Sequence, residues 1–284
     1  MTGRIIKGIA GSYTVSCQEN NYICQARGLF RKQGVVPLVG DIVDIDIIDK
    51  CKFVGYLLNI HSRKNEMKRP KIANIDLMIL TLALRPAINY DVADALLIFC
   101  EQQKIDALIC LNKSDLDEHD EYINISKQFK AAGYSVLETS VSNNFGIEAL
   151  KDNLFNKTSI LAGPSGVGKS SLLNALLPHV KLEIGDLSKK VGRGRHTTRH
   201  SELLQLNINS FVADTPGFTS FNINEIPKHE LQNFYREFTP YRNKCYYINC
   251  LHISEHDCAI KKQVGITIHT ERYDRYARYI SQKK

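Results

Sequence analysis

The stretch Gly163-Pro-Ser-Gly-Val-Gly-Lys-Ser170 decides how the rest of the chain is interpreted. It fits the pattern G-x-x-x-x-G-K-[ST], in which a glycine-rich turn presents backbone N–H groups to phosphate oxygens. Residues 159–162 before it predict a strand, and residues 171–177 after it predict a helix. A strand, a phosphate loop and a helix in that order predict an α/β fold that binds a nucleotide. The alternative is a glycine-rich turn without a ligand.

The end of this stretch has predicted roles in phosphate chemistry. Lys169 is expected to reach the β- and γ-phosphates, and Ser170 is expected to ligate Mg²⁺. The start of the predicted helix adds positive potential for an anion. The residues predicted to bind the nucleotide here are Gly163, Pro164, Ser165, Gly166, Val167, Gly168, Lys169, Ser170 and Ser171.

A second motif, Asp214-Thr-Pro-Gly217, lies further along the chain. Residues 206–213 before it predict one buried strand. In P-loop GTPases, a D-x-x-G motif holds the Mg²⁺ region through its aspartate, here Asp214. Its glycine N–H, here that of Gly217, senses the γ-phosphate. The alternative is an ordinary turn, because proline and glycine are common in turns.

The sequence Asn112-Lys-Ser-Asp115 predicts which base is read, because it fits the N-K-x-D of GTPases and follows a predicted strand at 107–111. The Asp115 carboxylate can accept two hydrogen bonds from guanine, which adenine does not offer. A site of this kind discriminates by roughly 10⁴ or more. We expect Lys113 to lie over the base and Asn112 to connect neighbouring loops, and we include Ser114 among the GTP-binding residues.

A partner loop for the base is predicted after a strand at 134–137. Ser140 and Val141 occupy the positions where GTPases usually carry Ser-Ala, and the Val141 backbone can still donate to guanine O6. The motifs therefore run from base reader to phosphate loop to D-x-x-G, whereas the phosphate loop comes first in ordinary GTPases. A parallel sheet covered by helices accommodates this order, because it needs only the same strands in the same places.

Residues 1–70 have a different rhythm, with about five short, partly alternating stretches separated by Gly, Asn and Pro. This pattern predicts a small β-barrel, for which we favour an OB-type barrel because that fold commonly binds oligonucleotides. An SH3-like barrel or a plain sandwich is the alternative.

The tail carries three closely spaced cysteines, Cys245, Cys250 and Cys258, with His252 and His256 between them. Three thiolates and one imidazole make the closed tetrahedral shell of a structural Zn²⁺ site. Either histidine can complete this set, and the alternative is three unrelated cysteines. Metal binding would supply folding energy to a segment that has little core of its own.

The whole chain has 284 residues, a formal net charge of +7 and 43% hydrophobic residues. Its basic balance favours polyanionic partners. We expect a cytoplasmic protein, because the N-terminus lacks the apolar core of a signal peptide and the apolar run at 75–84 is too short for a bilayer. The remaining cysteines are then expected to be reduced thiols.

Taken together, these motifs resemble the circularly permuted ribosome small-subunit-dependent GTPase A family (RsgA, also called YjeQ). The likeness covers essentially the whole chain. The resemblance implies an N-terminal OB-fold and a zinc module held by Cys245, Cys250, His252 and Cys258. It also implies a bacterial GTPase that binds the small (30S) ribosomal subunit and its 16S rRNA, is stimulated by the ribosome, and assists late subunit maturation while hydrolysing GTP to GDP and phosphate.

The predicted architecture has three domains. These are an OB-type β-barrel at 1–70, a circularly permuted α/β P-loop GTPase domain at 71–222 and a small α-rich zinc-binding domain at 223–284. Nothing in the sequence calls for more than a monomer. Two other classes stay open: a P-loop kinase or ATPase, and a non-catalytic RNA-binding assembly factor with GTP as a structural ligand.

The hydrolytic step is the least defined in the sequence. Residues 192–198 resemble the switch I stretch of the family, so Thr197 or Thr198 is expected to contact Mg²⁺. Phe218 stands where many GTPases carry the glutamine that orients the attacking water. Our hypothesis is that His196 takes that role once the ribosome orders the loop; the alternative is that His196 only contacts RNA phosphate.

Overall fold

The computed structural model describes residues 1–28, 30, 34–68, 70–177, 202–214 and 221–283. The chain folds as two compact units that each draw on separate segments. The first unit contains Met1–Ile79, Glu148–Ala162 and the described part of Lys169–Phe218. The second contains Leu80–Ile147, Gly163–Gly168 and the described part of Thr219–Lys284.

The first unit begins with a closed five-stranded barrel. Each strand pairs with two others in the cyclic order β1-β2-β3-β5-β4, and β4 returns to β1. The pairing of β3 with β5 is parallel, and the remaining pairings in the ring are antiparallel. This Greek-key ring confirms the predicted OB-type barrel. Its strands are β1 (Thr2–Ile9), β2 (Ser12–Cys17), β3 (Asn20–Ala26), β4 (Ile42–Asp49) and β5 (Val54–Ile60).

Alternating side chains fill this barrel. Ile5, Val15 and Leu57 are fully buried, as expected for strands with one face toward a core. At one end, the guanidinium of Arg63 donates to both oxygens of the buried Asp41 carboxylate, at 2.7 and 2.8 Å. A short hairpin follows, formed by β6 (Glu66–Lys68) and β7 (Lys71–Ala73).

The first unit also contains three strands that come after the barrel in the chain. β11 (Thr158–Ala162) is parallel to β13 (Ser210–Asp214), and β12 (Glu202–Asn207) is antiparallel to β13. The prediction of a single strand at 206–213 was wrong. Asn207 Oδ1 accepts from Asn209 N at 3.1 Å, which turns the chain between β12 and β13. Two helices accompany these strands, α3 (Ile147–Leu154) and α4 (Lys169–Leu176).

The second unit contains the alternating strand and helix pattern that the sequence predicts. β9 lies between β8 and β10, and β10 is parallel to β9. Asn89 caps the first helix by accepting from two backbone N–H groups of its first turn, and residues 93–100 of that helix are all buried. These elements are β8 (Leu77–Leu82), α1 (Tyr90–Gln103), β9 (Asp106–Asn112), α2 (Glu121–Ala131) and β10 (Ser135–Thr139).

The C-terminal part of the second unit consists of short 3₁₀ turns and one longer helix, α5 (Thr270–Gln282). An aromatic core formed by Tyr235, Phe238 and Tyr276 packs with Ile98 of α1. This part therefore shares its core with the helix that follows β8.

A buried network of charges accompanies this core. Arg272 of α5 donates to Asp94 of α1 at 2.7 Å and to Glu237 at 2.5 Å, and Arg275 donates to the other Asp94 oxygen. Arg272 is 1% exposed and Arg275 9% exposed. Arg272 and Arg275 are thus paired inside the molecule, which argues against these two arginines contacting RNA. Among the described residues, no helix is long and apolar enough to cross a membrane.

Candidate nucleotide and metal sites

The phosphate loop requires glycine at particular positions. Gly163, Gly166 and Gly168 all have positive φ angles, of 129°, 83° and 97°. A Cβ on Gly163 would lie 2.2 Å from Thr81 O, and one on Gly168 would lie 2.3 Å from Asn112 Nδ2. The loop therefore has glycine both where the backbone conformation demands it and where neighbours approach closely. Helix α4 begins at Lys169 directly after this turn, so Lys169, Ser170 and Ser171 form its first residues.

Asn112 connects the base reader to this loop. Its side chain is buried, its Nδ2 donates to Val167 O at 2.8 Å, and its Oδ1 accepts from Thr139 Oγ1 at 3.0 Å. The Cys110 thiol lies 3.2 Å from Thr139 Oγ1. Because Val167 O can only accept, the N–H₂ of the Asn112 amide must face the phosphate loop, and the Thr139 hydroxyl then donates to Oδ1. The connecting role predicted for Asn112 matches this geometry.

Lys113 also bridges two loops. It has a positive φ of 62°, and its Nζ donates to Gly166 O at 2.7 Å and to Arg85 O at 2.9 Å. The ammonium thus ties the phosphate loop to the segment after β8. The sequence did not suggest Arg85, whose contribution is a backbone carbonyl and leaves no signal in the side-chain pattern.

A buried tyrosine is a further residue that the sequence did not single out. The Tyr122 hydroxyl of α2 donates to Asn112 O at 2.6 Å and accepts from Leu84 N at 3.1 Å. Its ring is 1% exposed. Burial raises the pKa of Tyr122 to about 12, so the phenol is protonated at neutral pH and acts as donor and acceptor together. This hydroxyl joins the ends of β8 and β9.

Asp115 and Ser140, the two predicted base contacts, lie side by side. The Ser140 hydroxyl donates to Asp115 Oδ1, and this hydrogen bond is the main cause that lowers the pKa of Asp115. The carboxylate is therefore ionised at neutral pH and can accept hydrogen bonds from a base. Ser140 is fully buried, and its N–H donates to Phe145 O at 2.9 Å, which closes the loop beside half-buried Val141.

The remaining predicted nucleotide residues are only partly described. Ser114 lies with Asp115 in a single 3₁₀ turn, while Pro164 and Ser165 belong to the glycine-rich turn. Asp214 is the last residue of β13, and its side chain is not described. The remaining predicted residues lie outside the described part of the chain; they are His196, Thr197, Thr198, Gly217 and Phe218.

The four predicted metal ligands form a compact cluster. The ligand atoms of Cys245, Cys250, His252 and Cys258 all lie within 4.8 Å of one another. The Sγ atoms of Cys245 and Cys258 are 3.9 Å apart, and the His252 Nδ1 is 3.5 Å and 3.3 Å from them. A tetrahedral site with zinc-like bond lengths requires about 3.8 Å between sulfurs and about 3.5 Å between sulfur and nitrogen. The cluster can therefore hold a metal ion.

The surroundings of His252 fit this use of Nδ1. The imidazole is fully buried, and its Nε2 lies 2.7 Å from Gln232 Oε1, an acceptor. Nε2 must then carry the hydrogen, which leaves the Nδ1 lone pair directed at the thiols. Burial lowers the pKa of His252 and raises that of Cys250 to about 12. A neutral imidazole suits a ligand, whereas the thiols need a nearby cation to ionise.

Hydrogen bonds from outside the cluster hold the loop that carries His252. The Glu255 carboxylate accepts from Leu251 N at 2.7 Å and Ile253 N at 2.8 Å. On the α5 side, Tyr273 donates to His252 O at 2.7 Å and Tyr276 donates to Leu251 O at 3.0 Å. These contacts fix the backbone on both sides of His252. The residue itself has a positive φ of 63°.

Comparison with known proteins gives consistent matches over the whole chain. The model of the RsgA N-terminal domain matches residues 2–56, and that of the RsgA GTPase matches residues 60–224. Among solved structures, YjeQ from Thermotoga maritima is 32% identical with a TM-score of 0.85, covering 99% of this chain and 97% of that one. YloQ, described as a circularly permuted GTPase, is 32% identical with a TM-score of 0.80, covering 99% and 94%.

Curated relatives agree with these matches. The small ribosomal subunit biogenesis GTPase RsgA of Caldanaerobacter subterraneus subsp. tengcongensis is 42% identical, covering 99% of this chain and 95% of the relative. The protein of the same name from Ruminiclostridium cellulolyticum is 43% identical, covering 96% and 91%. With its barrel, permuted motif order and Cys₃His cluster in place, the chain belongs to the RsgA GTPase family.

Proposed function

We propose that this chain is a GTPase of small ribosomal subunit biogenesis, which binds the 30S subunit and hydrolyses GTP to GDP and phosphate during late maturation. The observation that carries the proposal is the bonding of the base reader to the phosphate loop. Asn112 and Lys113 bond to Val167 O and Gly166 O, and Asp115 lies beside Ser140. Relatives named for small-subunit biogenesis support the choice of partner.

In this proposal the nucleotide is held at both ends. Asp115 reads the guanine edge, and the backbone N–H of Val141, next to Ser140, donates to O6. The phosphates are bound by backbone N–H groups within residues 163–171, to which Pro164 contributes none, with the Lys169 charge at the β- and γ-phosphates. A GTPase works with Mg²⁺ bound to its nucleotide, and this ion neutralises charge on the phosphates. Ser170, Asp214 and either Thr197 or Thr198 would hold it, while Gly217 senses the γ-phosphate.

His196 is the proposed water-orienting residue, because Phe218 cannot hold a water by a strong hydrogen bond. The test is His196→Ala assayed with and without small subunits. We expect loss of the subunit-stimulated rate with GTP binding retained. Unchanged stimulated turnover would remove this role and leave His196 as an RNA contact at most.

For the tail we propose one structural Zn²⁺ held by Cys245, Cys250, His252 and Cys258. The spacing of the ligand atoms and the Gln232 partner of His252 support this choice. The functional division proposed is a barrel at 1–70, the permuted GTPase domain at 71–222 and the zinc module at 223–284. In this scheme the barrel and the zinc module contact 16S rRNA, and the protein acts as a monomer in the cytoplasm.

The deciding experiment measures GTP hydrolysis by the purified protein with and without purified small subunits. We expect a slow basal rate and a marked stimulation by subunits. Subunit binding should also weaken steeply with salt, because RNA contacts release counterions. Binding without any hydrolysis would instead assign the chain to a non-catalytic assembly factor that uses GTP as a structural ligand.

A further inference from the structure

A short apolar segment projects from the metal cluster into solvent. Residues 246–248 lie between the ligands Cys245 and Cys250, and we name them the knuckle loop. Tyr246 is 77% exposed, Tyr247 48% and Ile248 fully exposed. Three consecutive exposed apolar side chains leave much of their surface in water, and such patches mark interaction surfaces.

The knuckle loop is held in place rather than loosely tethered. Its flanking cysteines belong to the ligand cluster, Tyr246 N donates to Asp257 O at 3.4 Å, and Cys250 N donates to Tyr247 O at 3.3 Å. The two tyrosine rings meet edge to face, with centroids 5.0 Å apart and planes at 85°. A loop whose backbone is already held by hydrogen bonds loses less conformational entropy when a partner binds.

The charges around the loop favour an anionic partner. Residues 241–262 contain four basic and two acidic side chains. Both acidic groups are engaged, because Asp257 pairs with Lys262 and Glu255 accepts from backbone N–H groups.

Three of the four cations in this segment have neutral partners. Arg242 donates to the amide of Asn233, Lys244 lies over the ring of Tyr241, and Lys261 donates to a backbone carbonyl. None of these three forms an ion pair within the described part of the chain. Their positive charges are therefore available to a polyanion.

We propose that the knuckle loop binds unpaired nucleotides of RNA, with the rings of Tyr246 and Tyr247 stacking on bases and Ile248 packing against their edges. Exposed aromatic side chains beside cations are the combination that recognises single-stranded nucleic acid. An apolar protein groove would match the rings but not the cations. The proposal deepens the proposed function, since it rests on RNA of the small subunit as the partner.

The test compares three variants in equilibrium binding to purified small subunits and, separately, to polyuridylate. Replacing both rings, Tyr246→Ala with Tyr247→Ala, should weaken binding to each by about tenfold or more. Tyr247→Phe keeps a stacking face and should bind as the wild type does. Ile266→Ala is the matched control, because Ile266 is an apolar residue of the same module, 75% exposed but outside the loop. Metal content and subunit-free hydrolysis should be equal in all variants.

The outcomes separate this inference from the proposed function. In one outcome the wild type binds polyuridylate but not subunits, and the double tyrosine variant binds polyuridylate less well. That result would reject the subunit as partner and keep the loop as an RNA site. Equal binding by the double variant and the wild type overturns the inference. A loss of subunit binding in the double variant with no wild-type affinity for polyuridylate also overturns it, because the loop would then contact a ribosomal protein.

Discussion

The metal cluster and the nucleotide site of the second unit are assembled in opposite ways. The four metal ligands lie within fourteen consecutive residues, and His252 contacts cysteines only 7 and 6 positions away. In the nucleotide site, Asn112 meets Val167 across 55 positions and Thr139 across 27. The metal cluster is formed by one local segment that could hold an ion, and the proposed nucleotide site is formed by strands and helices that bring distant loops together. Substitutions in the metal cluster and in the proposed nucleotide site should therefore have different effects on the fold.

The largest effect is expected from the metal ligands. Cys258→Ser should abolish metal binding and unfold residues 241–262, because metal binding contributes about 10–16 kcal/mol in zinc-finger peptides. Metal content by mass spectrometry and hydrogen exchange of the amides measure this. Cys51→Ser is the control, since Cys51 is an exposed free thiol of the barrel. A variant that loses the metal yet keeps its amide protection would show that the loop does not depend on the ion.

The next largest effect concerns base recognition. Asp115→Asn should reverse the preference for GTP over xanthosine triphosphate and lower GTP affinity by roughly 10³- to 10⁴-fold, since the hydrogen-bond pairing with guanine is lost. Competition binding measures it, with Asp106→Asn, an exposed carboxylate at the start of β9, as the control. The fold should be intact by circular dichroism, because this site is held by the sheet. An unaltered base preference would show that Asp115 does not read guanine.

A smaller loss, here of stability against unfolding, should follow from removing one buried charge. Among the residues that the structure describes, Arg272→Met leaves Glu237 without its ion-pair partner and Asp94 with Arg275 alone, and breaking such a buried pair costs about 3–5 kcal/mol. Arg278→Met is the matched control on the same helix. Its pair with Asp91 is exposed, and such pairs contribute about 0–1 kcal/mol. Urea unfolding compares the stability of the two variants. Equal losses of stability would show that the buried charge network does not stabilise the fold more than an exposed pair does.

The smallest expected effect tests the long-range site at a single hydroxyl. Tyr122→Phe removes the bridge between Asn112 O and Leu84 N, which should cost roughly 1–2 kcal/mol. We expect weaker GTP binding with no change in metal content. Tyr134→Phe is the control, because Tyr134 is similarly buried but its hydroxyl makes a longer contact, 3.3 Å, with Glu101. Unchanged nucleotide affinity in Tyr122→Phe would restrict this residue to packing.

The same contrast explains what the sequence could predict. The cysteine spacing identified the metal cluster, because its ligands are neighbours in the chain. The motifs at 112–115 and 163–170 predict the two ends of the proposed nucleotide site, because their chemistry is local. Tyr122 and Thr139 were missed, since their roles come from hydrogen bonds to residues that only folding brings near. For the same reason, spacing alone left His252 and His256 as alternatives.

Two other features of the structure that the sequence did not predict also have physical causes. The stretch 206–213 was predicted as one strand, but the side chain of Asn207 accepts a hydrogen bond that turns the chain. The stretch is therefore divided between β12 and β13, which pair as a hairpin. Arg272 and Arg275 are paired with Asp94 and Glu237, and these acidic partners lie far away from them in the chain. Charge pairing across a fold is invisible in a linear pattern. The domain boundaries, which follow from changes in composition, stay predictions.

The sharing of Asp94 between Arg272 and Arg275 also limits how this protein can change over evolutionary time. A C-terminal module that merely hung from the GTPase could be exchanged or discarded among relatives. Here the module supplies the counter-charges for a fully buried carboxylate of α1. Its loss would leave an unpaired charge in the core of its neighbour. A chimera that replaces the tail should therefore succeed only when it also replaces the acidic residue at position 94.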